Sequence, residues 1–454
     1  MARPEAKYED KLASWKEIAA YLGCDERTCL RWEKKLGLPV HRMEGASKSR
    51  VFAFRGELDR WMREKITLVD GRSRYSRQRF FRPKILWILL AASGIAAAVF
   101  GAFLIGSRAG STPSGFRIED STFIAVNKKG RALWSYNTGL FNLRDEAFYR
   151  GRFQIKKRGT GESPEFPQLI MRDIDNDRKV ETFLSLKTQD EFNEGRLLCF
   201  NDRGKLLWEF ETGKELLFGD SVYARDYRIK GFDLHDFDRD GRPEIFFISI
   251  HRPNFPCQFG VLNLRGELVS EYWNSGHISD VVFQDIDRDS REEILMAGLN
   301  NEFGKGCLIV FEPDRIAGSS PQLNPDYTCR DLPPGSETYY LLLPRTDLDE
   351  VEYPVNCVLS IDVLQNRRLS LIMDLSRIFF ELTPDLDVVY VHTSHAFQQK
   401  RAAALREGKV RGPADKAYFE KLRRGVLYWN GTDWVSTRTP NLHNYKENGR
   451  EQRP

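Results

Sequence analysis

The stretch DFDRDGRPEIFFIS, residues 236–249, decides the fold of the larger part of this 454-residue chain. Three aspartates alternate along its first half, a glycine follows them, and an apolar run typical of a buried β-strand completes it. Two other stretches share the pattern of alternating aspartates, a glutamate and a strand: DIDNDRKVETFLS from residue 173 and DIDRDSREEILMAG from residue 285. The sequence therefore contains a repeated unit built from an acidic loop and a strand.

Each repeat continues into a second strand, LLCFNDRG, FGVLNLRG or LIVFEPD, whose aligned residues are Asn201, Asn263 and Glu312. An earlier partial copy, residues 123–139, has no acidic loop, and we attribute this to the apolar segment that precedes it. Sets of short strands at such spacings are typical of a β-propeller. We expect an all-β propeller of six or seven blades over residues 118–438, with strands at 425–434 completing the first blade and closing the ring.

Oxygen ligands at alternate positions followed by a sharp turn suit a hard cation such as Ca²⁺. Gly241 permits this turn in the second loop, whereas Arg178 and Ser290 stand at the same position in the other two. The alternative is a structural hairpin whose carboxylates accept main-chain hydrogen bonds. The acidic loops make the region resemble the FG-GAP/VCBS repeats of integrin-alpha-like propellers. The predicted calcium ligands are Asp236, Asp238, Asp240 and Glu244, then Asp173, Asp175, Asp177 and Glu181, and finally Asp285, Asp287, Asp289 and Glu293.

Residues 85–106, ILWILLAASGIAAAVFGAFLIG, carry no charge. As a helix they would extend about 33 Å, enough to cross a hydrocarbon core of about 30 Å. The rival interpretation is a buried core helix. Residues 70–84 carry five arginines and one lysine against a single aspartate, which orients the N-terminus to the cytoplasm. We predict a single-pass protein of a bacterial-type inner (cytoplasmic) membrane with an extracytoplasmic C-terminal domain.

The first 84 residues carry a net charge of +9 and the rest −5, so the N-terminal part favours an anionic partner. Ser14 and Glu17 form a capping box for a first helix that ends at Gly23. A second helix is predicted over 26–36, two short strands around residues 43–48 form a wing, and a third helix starts after Gly56. Two helices joined by a tight turn indicate a helix-turn-helix.

This order of elements, carried by SWKEIAAYLGCDERTCLRWEKKLGLPVHR, resembles the MerR/excisionase-like winged helix-turn-helix family over about residues 11–66. The resemblance implies that the second helix enters the major groove of double-stranded DNA. Two alternatives stay open: a solvated basic helix in a small three-helix domain, and a winged helix that binds protein. The DNA-contacting residues would be Arg27, Thr28, Arg31, Lys34 and Lys35 on the helix, with Arg42, Lys48 and Arg50 on the wing.

These observations predict a membrane-tethered one-component transcription regulator that senses an extracytoplasmic ligand or protein and acts as a homodimer. The alternative is a surface interaction or adhesion protein. Catalytic motifs such as HExxH or GxSxG are absent from the sequence, so we do not expect an enzyme.

Five cysteines follow residue 106. They allow one or two disulfides; the alternative is that they are small buried apolar residues. The expected domains are 1–69 (winged helix-turn-helix), 70–84 (basic linker), 85–106 (transmembrane helix), 107–117 (linker), 118–438 (propeller, with a helical insertion near 398–424) and 439–454 (disordered tail).

Overall fold

The computed structural model describes residues 11–42, 51–67, 112–151, 166–191, 194–237, 239–252, 255–374 and 377–441. The chain divides into two compact units, residues 1–99 and 100–454. Within the described ranges, no helix combines the length and apolar character that a membrane span requires. The predicted span at 85–106 and most of the predicted tail at 439–454 lie outside the described residues.

The described residues of the first unit form three helices and a small antiparallel sheet of order β1-β3-β2. The side-chain oxygens of Ser14 and Asp25 cap α1 and α2 by accepting main-chain N–H groups at 3.2 and 2.7 Å. Gly23 ends α1 in the left-handed region at φ 65°, so the predicted bounds of both helices are confirmed. The elements are β1 (Lys11–Leu12), α1 (Trp15–Leu22), α2 (Glu26–Leu36), β2 (His41–Arg42), β3 (Val51–Phe54) and α3 (Arg55–Thr67).

Two features of this unit differ from the prediction. Strand β1 was not predicted, because two residues are too short to show an alternating pattern. Helix α3 begins at Arg55, so Gly56 does not break the chain there but lies in the first helical turn. Main-chain N–H groups in a first turn have no intrahelical acceptor, which makes glycine less costly there than in a helix interior. The tip of the predicted wing, residues 43–50, lies outside the described residues.

The second unit is mostly β and propeller-like. Its described residues form five antiparallel sheets that follow one another along the chain, with a separate β11–β12 hairpin. The first sheet holds β4 (Gly115–Glu119), β5 (Thr122–Val126) and β6 (Ala132–Asn137); the second holds β7 (Leu169–Arg172), β8 (Glu181–Ser185), β9 (Arg196–Phe200) and β10 (Leu206–Glu211); β11 is Leu216–Phe218 and β12 is Ser221–Tyr223; the third sheet holds β13 (Tyr227–His235), β14 (Glu244–His251), β15 (Cys257–Leu262) and β16 (Leu268–Asn274).

The remaining strands form the fourth and fifth sheets, and the described residues of this unit also form four α-helices between strands. The fourth sheet holds β17 (Ile278–Gln284), β18 (Glu293–Asn300), β19 (Lys305–Phe311), β20 (Tyr339–Leu342), β25 (Leu427–Trp429) and β26 (Trp434–Val435); the fifth holds β21 (Val358–Val363), β22 (Leu369–Met373), β23 (Ile378–Leu382) and β24 (Val388–Thr393); the helices are α4 (Glu146–Gly151), α5 (Asp347–Glu352), α6 (His395–Arg406) and α7 (Lys416–Arg424).

Neighbouring sheets pack face to face, and one apolar core lies between each sheet and the next. Successive residues of a central strand point into different cores, as the two-residue period of a strand requires. In β8, Phe183 faces the third sheet and Leu184 faces the first. In β19, Leu308 faces the fifth sheet and Ile309 faces the third. The near-continuous apolar composition of these strands follows from this burial on both faces.

The expected closure of the ring by residues 425–434 is wrong. Strand β25 pairs with β20 of the fourth sheet, with Leu341 opposite Tyr428. Both faces of β25 are covered there: Tyr428 enters the core shared with the fifth sheet, while Leu427 packs against the core shared with the third. The described sheets number five, where six or seven blades were predicted.

The explanation offered for the partial first copy is also wrong. Strand β4 stands directly before β5, and Asp120 and Ser121 alone connect the two strands. A two-residue turn therefore takes the place that an acidic loop occupies in other sheets.

All seven cysteines are free, and the five after residue 106 are buried. The disulfides that the sequence allowed are therefore not formed.

Candidate metal-binding loops and nucleic-acid interface

The three acidic segments occupy the same place in three consecutive sheets. Each connects the first strand of its sheet to the second: β7 to β8, β13 to β14, and β17 to β18. The glutamate that ends each motif, Glu181, Glu244 or Glu293, is the first residue of the second strand. The three segments share one residue pattern because each occupies the same position in its sheet.

The three loops also share one backbone conformation, in which the fourth and sixth positions of the motif are left-handed. Arg and Ser at the sixth position adopt this conformation as glycine does, so the turn does not depend on Gly241. A left-handed conformation costs conformational free energy for a non-glycine residue, and such strain persists only where the surrounding contacts hold it. The φ values are 61° at Asn176 and 68° at Arg178, 60° at Arg239 and 85° at Gly241, and 68° at Arg288 and 73° at Ser290.

Main-chain donors hold the first aspartate and the last glutamate of each motif. The N–H groups of Arg178 and Gly241 donate to the first aspartates of their loops at 2.8 and 2.9 Å. Glu293 accepts the N–H of Ile286 at 2.7 Å, and Glu181 and Glu244 accept equivalent donors at 3.4 and 3.1 Å. This pattern is the one expected of an aspartate-rich hairpin, so it does not by itself require a metal.

Carboxylate oxygens nevertheless converge in the first and third loops. Within each group the oxygens lie within 4.8 Å of one another; the groups are Asp173, Asp175 and Glu181, then Asp285, Asp287 and Asp289, and finally Asp287, Glu293 and Glu312. Asp177 does not join its group. Its carboxylate contacts the Lys179 ammonium, and this hydrogen bond lowers the pKa of Asp177.

Glu312 is a candidate ligand that sequence reasoning missed. It directly follows β19 and corresponds in the repeat to Asn201 and Asn263, so an acidic side chain occupies this position in the third copy alone. The alignment of the repeats contained that signal. In the second loop, Asp240 Oδ1 accepts the N–H of Arg242 at 2.7 Å, and Asp238 lies outside the described residues.

Three buried carboxylate oxygens bear on whether a cation fits these loops. Asp173 Oδ1, Asp236 Oδ1 and Glu293 Oε1 are inaccessible to solvent and have no hydrogen-bond partner. Burial is the main cause that raises the pKa of Glu181 and Glu293 to about 7, and the charges of Asp175 and Asp287 raise it further. Unsatisfied buried oxygens beside gathered carboxylates are stabilised by a bound cation. The residues of the first and third loops therefore fit a hard divalent ion that prefers oxygen ligands.

In the first unit, one exposed stripe of α2 carries three of the eight predicted DNA-contacting residues. Arg27, Leu30, Arg31 and Lys34 stand at i, i+3, i+4 and i+7 and are all exposed. Thr28 is half-buried, and its N–H donates to the capping carboxylate of Asp25. The Lys35 side chain and the wing residues Lys48 and Arg50 lie outside the described residues.

Arg42 is already engaged within the protein. Its Nη2 lies 2.7 and 3.0 Å from the two carboxylate oxygens of Glu33 on α2. This ion pair fixes β2 against the second helix. It also neutralises much of the charge that the sequence assigned to a phosphate contact, so Arg42 is placed as a bridge between wing and helix.

The chain matches no family model and no curated protein sequence. Similar solved structures include BamB from Moraxella catarrhalis, with 10% identity and a TM-score of 0.29; the match covers 62% of this chain and 59% of BamB. The Dos1 propeller has 8% identity and a TM-score of 0.30, and the match covers 61% of this chain and 65% of Dos1. The V. cholerae biofilm matrix protein Bap1 has 13% identity and a TM-score of 0.20, and the match covers 43% of this chain and 32% of Bap1. The chain thus spans less than two thirds of each. The description as a propeller-like β protein rests on its own sheets and cores.

Proposed function

We propose that the chain is a membrane-tethered one-component transcription regulator. In this proposal the first unit binds double-stranded DNA, residues 85–106 span a bacterial-type cytoplasmic membrane, and the propeller-like unit binds an extracytoplasmic ligand. The observation that carries the proposal is the exposed stripe of α2, which presents Arg27, Arg31 and Lys34 with no acidic side chain among them.

The stripe suits DNA by charge and by geometry. Helix α2 follows α1 across a tight turn at Gly23, as does the second helix that helix-turn-helix proteins insert into the major groove. Arginine recognises guanine through two hydrogen bonds, lysine neutralises phosphates, and the exposed Leu30 suits a thymine methyl group. The resemblance to MerR/excisionase-like winged helix-turn-helix domains supports the same role.

The tether rests on the length of the uncharged run and on the arginines before it. A single span transmits a signal most simply through the spacing or orientation of two subunits. A homodimer is therefore part of the proposal, because readers of this kind commonly bind two half-sites.

Calcium in the acidic loops is the second part of the proposal. The gathered carboxylates and the unsatisfied buried oxygens support it, as does the resemblance to FG-GAP/VCBS repeats. A bound ion would join the first two strands of a sheet at one end and so stiffen the frame of the sensing unit.

The test is DNA binding by the purified full-length chain, with the Arg27→Ala/Arg31→Ala double variant. The matched control is Lys128→Ala/Lys129→Ala, which removes two exposed cations from the turn between β5 and β6. We expect the first variant to bind more weakly and to lower the slope of log affinity against log salt by about two. The control should bind as the parent chain does.

DNA binding that ignores both arginines and shows no salt dependence would overturn the proposal. Absence of any DNA binding would do the same and would favour the surface interaction protein, whose first unit binds protein.

A further inference from the structure

A cavity of about 950 Å³ lies within the propeller-like unit. Its lining residues come from segments in or next to all five sheets, from Arg144 after the first sheet to Val355 before the fifth. Its volume falls at the upper end of the range for small-molecule sites. Two aromatic rings, Phe148 and Phe255, supply apolar surface beside the polar residues. The cavity therefore has the size and composition of a small-molecule site.

The cavity and the acidic loops lie at opposite ends of the same strands. Glu181 begins β8 beside its acidic loop, whereas Lys187 follows the other end of β8 and lines the cavity. Lys230 lies near the start of β13, and Asp236 follows its end. The two residues are six positions apart in the sequence, or roughly 20 Å at about 3.3 Å per residue. The cavity is thus a separate site from the candidate metal loops.

Positive charge exceeds negative charge on the lining of the cavity. Arg144, Lys187, Arg228 and Lys230 face two carboxylates, Glu191 and Glu194. The Lys187 ammonium lies 3.0 Å from Glu194, and Arg228 contacts Glu191. Arg144 reaches a carboxylate only at 4.0 Å, through the same Glu191. Four cationic side chains therefore face two carboxylates, a surplus of two positive charges when Lys230 is protonated.

Lys230 is the central cation of this surplus. Its ammonium donates to the main-chain carbonyls of Ile278 and Ser279 at 2.8 and 3.4 Å. Among the described residues, no carboxylate forms a hydrogen bond or ion pair with this ammonium. Burial lowers the pKa of Lys230, and an anion that enters the cavity would stabilise its charged form. His277 adds no charge at neutral pH, because burial lowers its pKa to about 3.

We propose that this cavity binds a small organic dianion, with Lys230 and Arg144 as the groups that recognise its two charges. A dianion matches the surplus of two, and Phe148 and Phe255 suit an apolar part of the same molecule. Neutral molecules would leave the surplus uncompensated, and cations would add to it. The inference deepens the proposed sensing function and rests on it, since it names the chemical class of the ligand.

The experiment is calorimetric titration of the full-length chain, purified in a non-ionic detergent. The probes are succinate and phenyl phosphate, and the uncharged counterparts are succinamide and benzyl alcohol. We expect millimolar or tighter binding of at least one dianion and none of its uncharged counterpart. The two arms separate a preference for carboxylate from one for phosphate.

Two variants assign the site. Lys230→Met should weaken dianion binding at least tenfold. Arg144→Gln should also weaken it. Lys205→Met, at an exposed lysine on the turn between β9 and β10, is the matched control and should not alter it. Equal affinity of Lys230→Met and the parent chain would overturn the proposal, as would binding of neither dianion.

The comparison of charged and uncharged probes uses the unchanged protein and alters only the ligand. It therefore stays informative even if Lys230→Met fails to fold. DNA binding is measured separately. A chain that binds a dianion without binding DNA would contradict the regulator and not the cavity, and the reverse result would contradict the cavity alone.

Discussion

Glu293 and Glu312 bring carboxylate oxygens within 4.8 Å of each other and of Asp287. The first begins β18 and the second follows β19, so the antiparallel pairing of the two strands places them side by side. Burial raises the pKa of both groups, that of Glu293 to about 7. Two acids that share a buried position repel each other when ionised, and a divalent cation would reverse the sign of this interaction.

We therefore expect Ca²⁺ to raise the melting temperature of the full-length chain over that in chelator. An ion at a hundred times its dissociation constant stabilises a fold by about 2.7 kcal/mol. Glu293→Gln/Glu312→Gln should remove one bound ion from the calorimetric stoichiometry. Glu215→Gln, at an exposed glutamate outside the loops, should remove none. No calcium-dependent shift in the parent chain would contradict the assignment of these loops as cation sites.

A second prediction concerns the left-handed position that Arg178 and Ser290 share with Gly241. Because a side chain is strained there, Arg178→Gly and Ser290→Gly should each stabilise the second unit by roughly 0.5–1 kcal/mol. Gly241→Ala should destabilise it, although its Cβ would meet open space, because the φ of 85° is the cause. Denaturant unfolding of the three variants measures these differences. A destabilised Arg178→Gly variant would show that the arginine side chain makes contacts worth more than the strain.

The sequence predicted those features whose signals are local. Helices α1 and α2 were predicted with their observed bounds, because Ser14, Gly23 and Asp25 are capping residues whose effect does not depend on the rest of the chain. The acidic loops and their strands were predicted because one pattern recurs three times.

Features that depend on distant pairing were not predicted. The partner of β25 is decided by burial of Leu427 and Tyr428 on opposite faces beside β20, about 85 residues earlier in the chain. The ion pair of Arg42 with Glu33 joins a strand to a helix, and Lys230 meets Arg144 at a cavity that only the assembled sheets create. Charge counts show that such groups exist but not which of them meet.

The Arg42–Glu33 pair leads to a third prediction. Glu33→Gln removes the carboxylate that neutralises Arg42 and leaves the guanidinium available to phosphate. We expect tighter DNA binding and a salt slope steeper by about one. Arg42→Ala in the parent chain should weaken DNA binding less than Arg31→Ala does. Fluorescence anisotropy at several salt concentrations measures both effects, and a larger loss from Arg42→Ala would show that DNA displaces Glu33.

A fourth prediction concerns Glu337, which is buried in the second unit with Asn441 Nδ2 3.4 Å from its Oε1. Burial raises its pKa from the ordinary 4.5 to about 8. Since the folded state favours the protonated carboxyl, the contribution of this group to stability is full below about pH 4.5. It is lost as the pH rises through about 8, at about 1.4 kcal/mol per pH unit between the two values.

Glu337→Gln keeps the shape of the side chain and removes its titration. The unfolding free energy of the variant should therefore exceed that of the parent by a margin that grows between about pH 5 and about pH 8. Scanning calorimetry of the full-length chain measures this as a rising difference in melting temperature, and Glu215→Gln should follow the parent at every pH. Other buried carboxyls, such as Glu181, contribute equally to both chains and cancel in the comparison. A margin independent of pH would mean that Glu337 is ionised in the folded protein and stabilised by the groups around it.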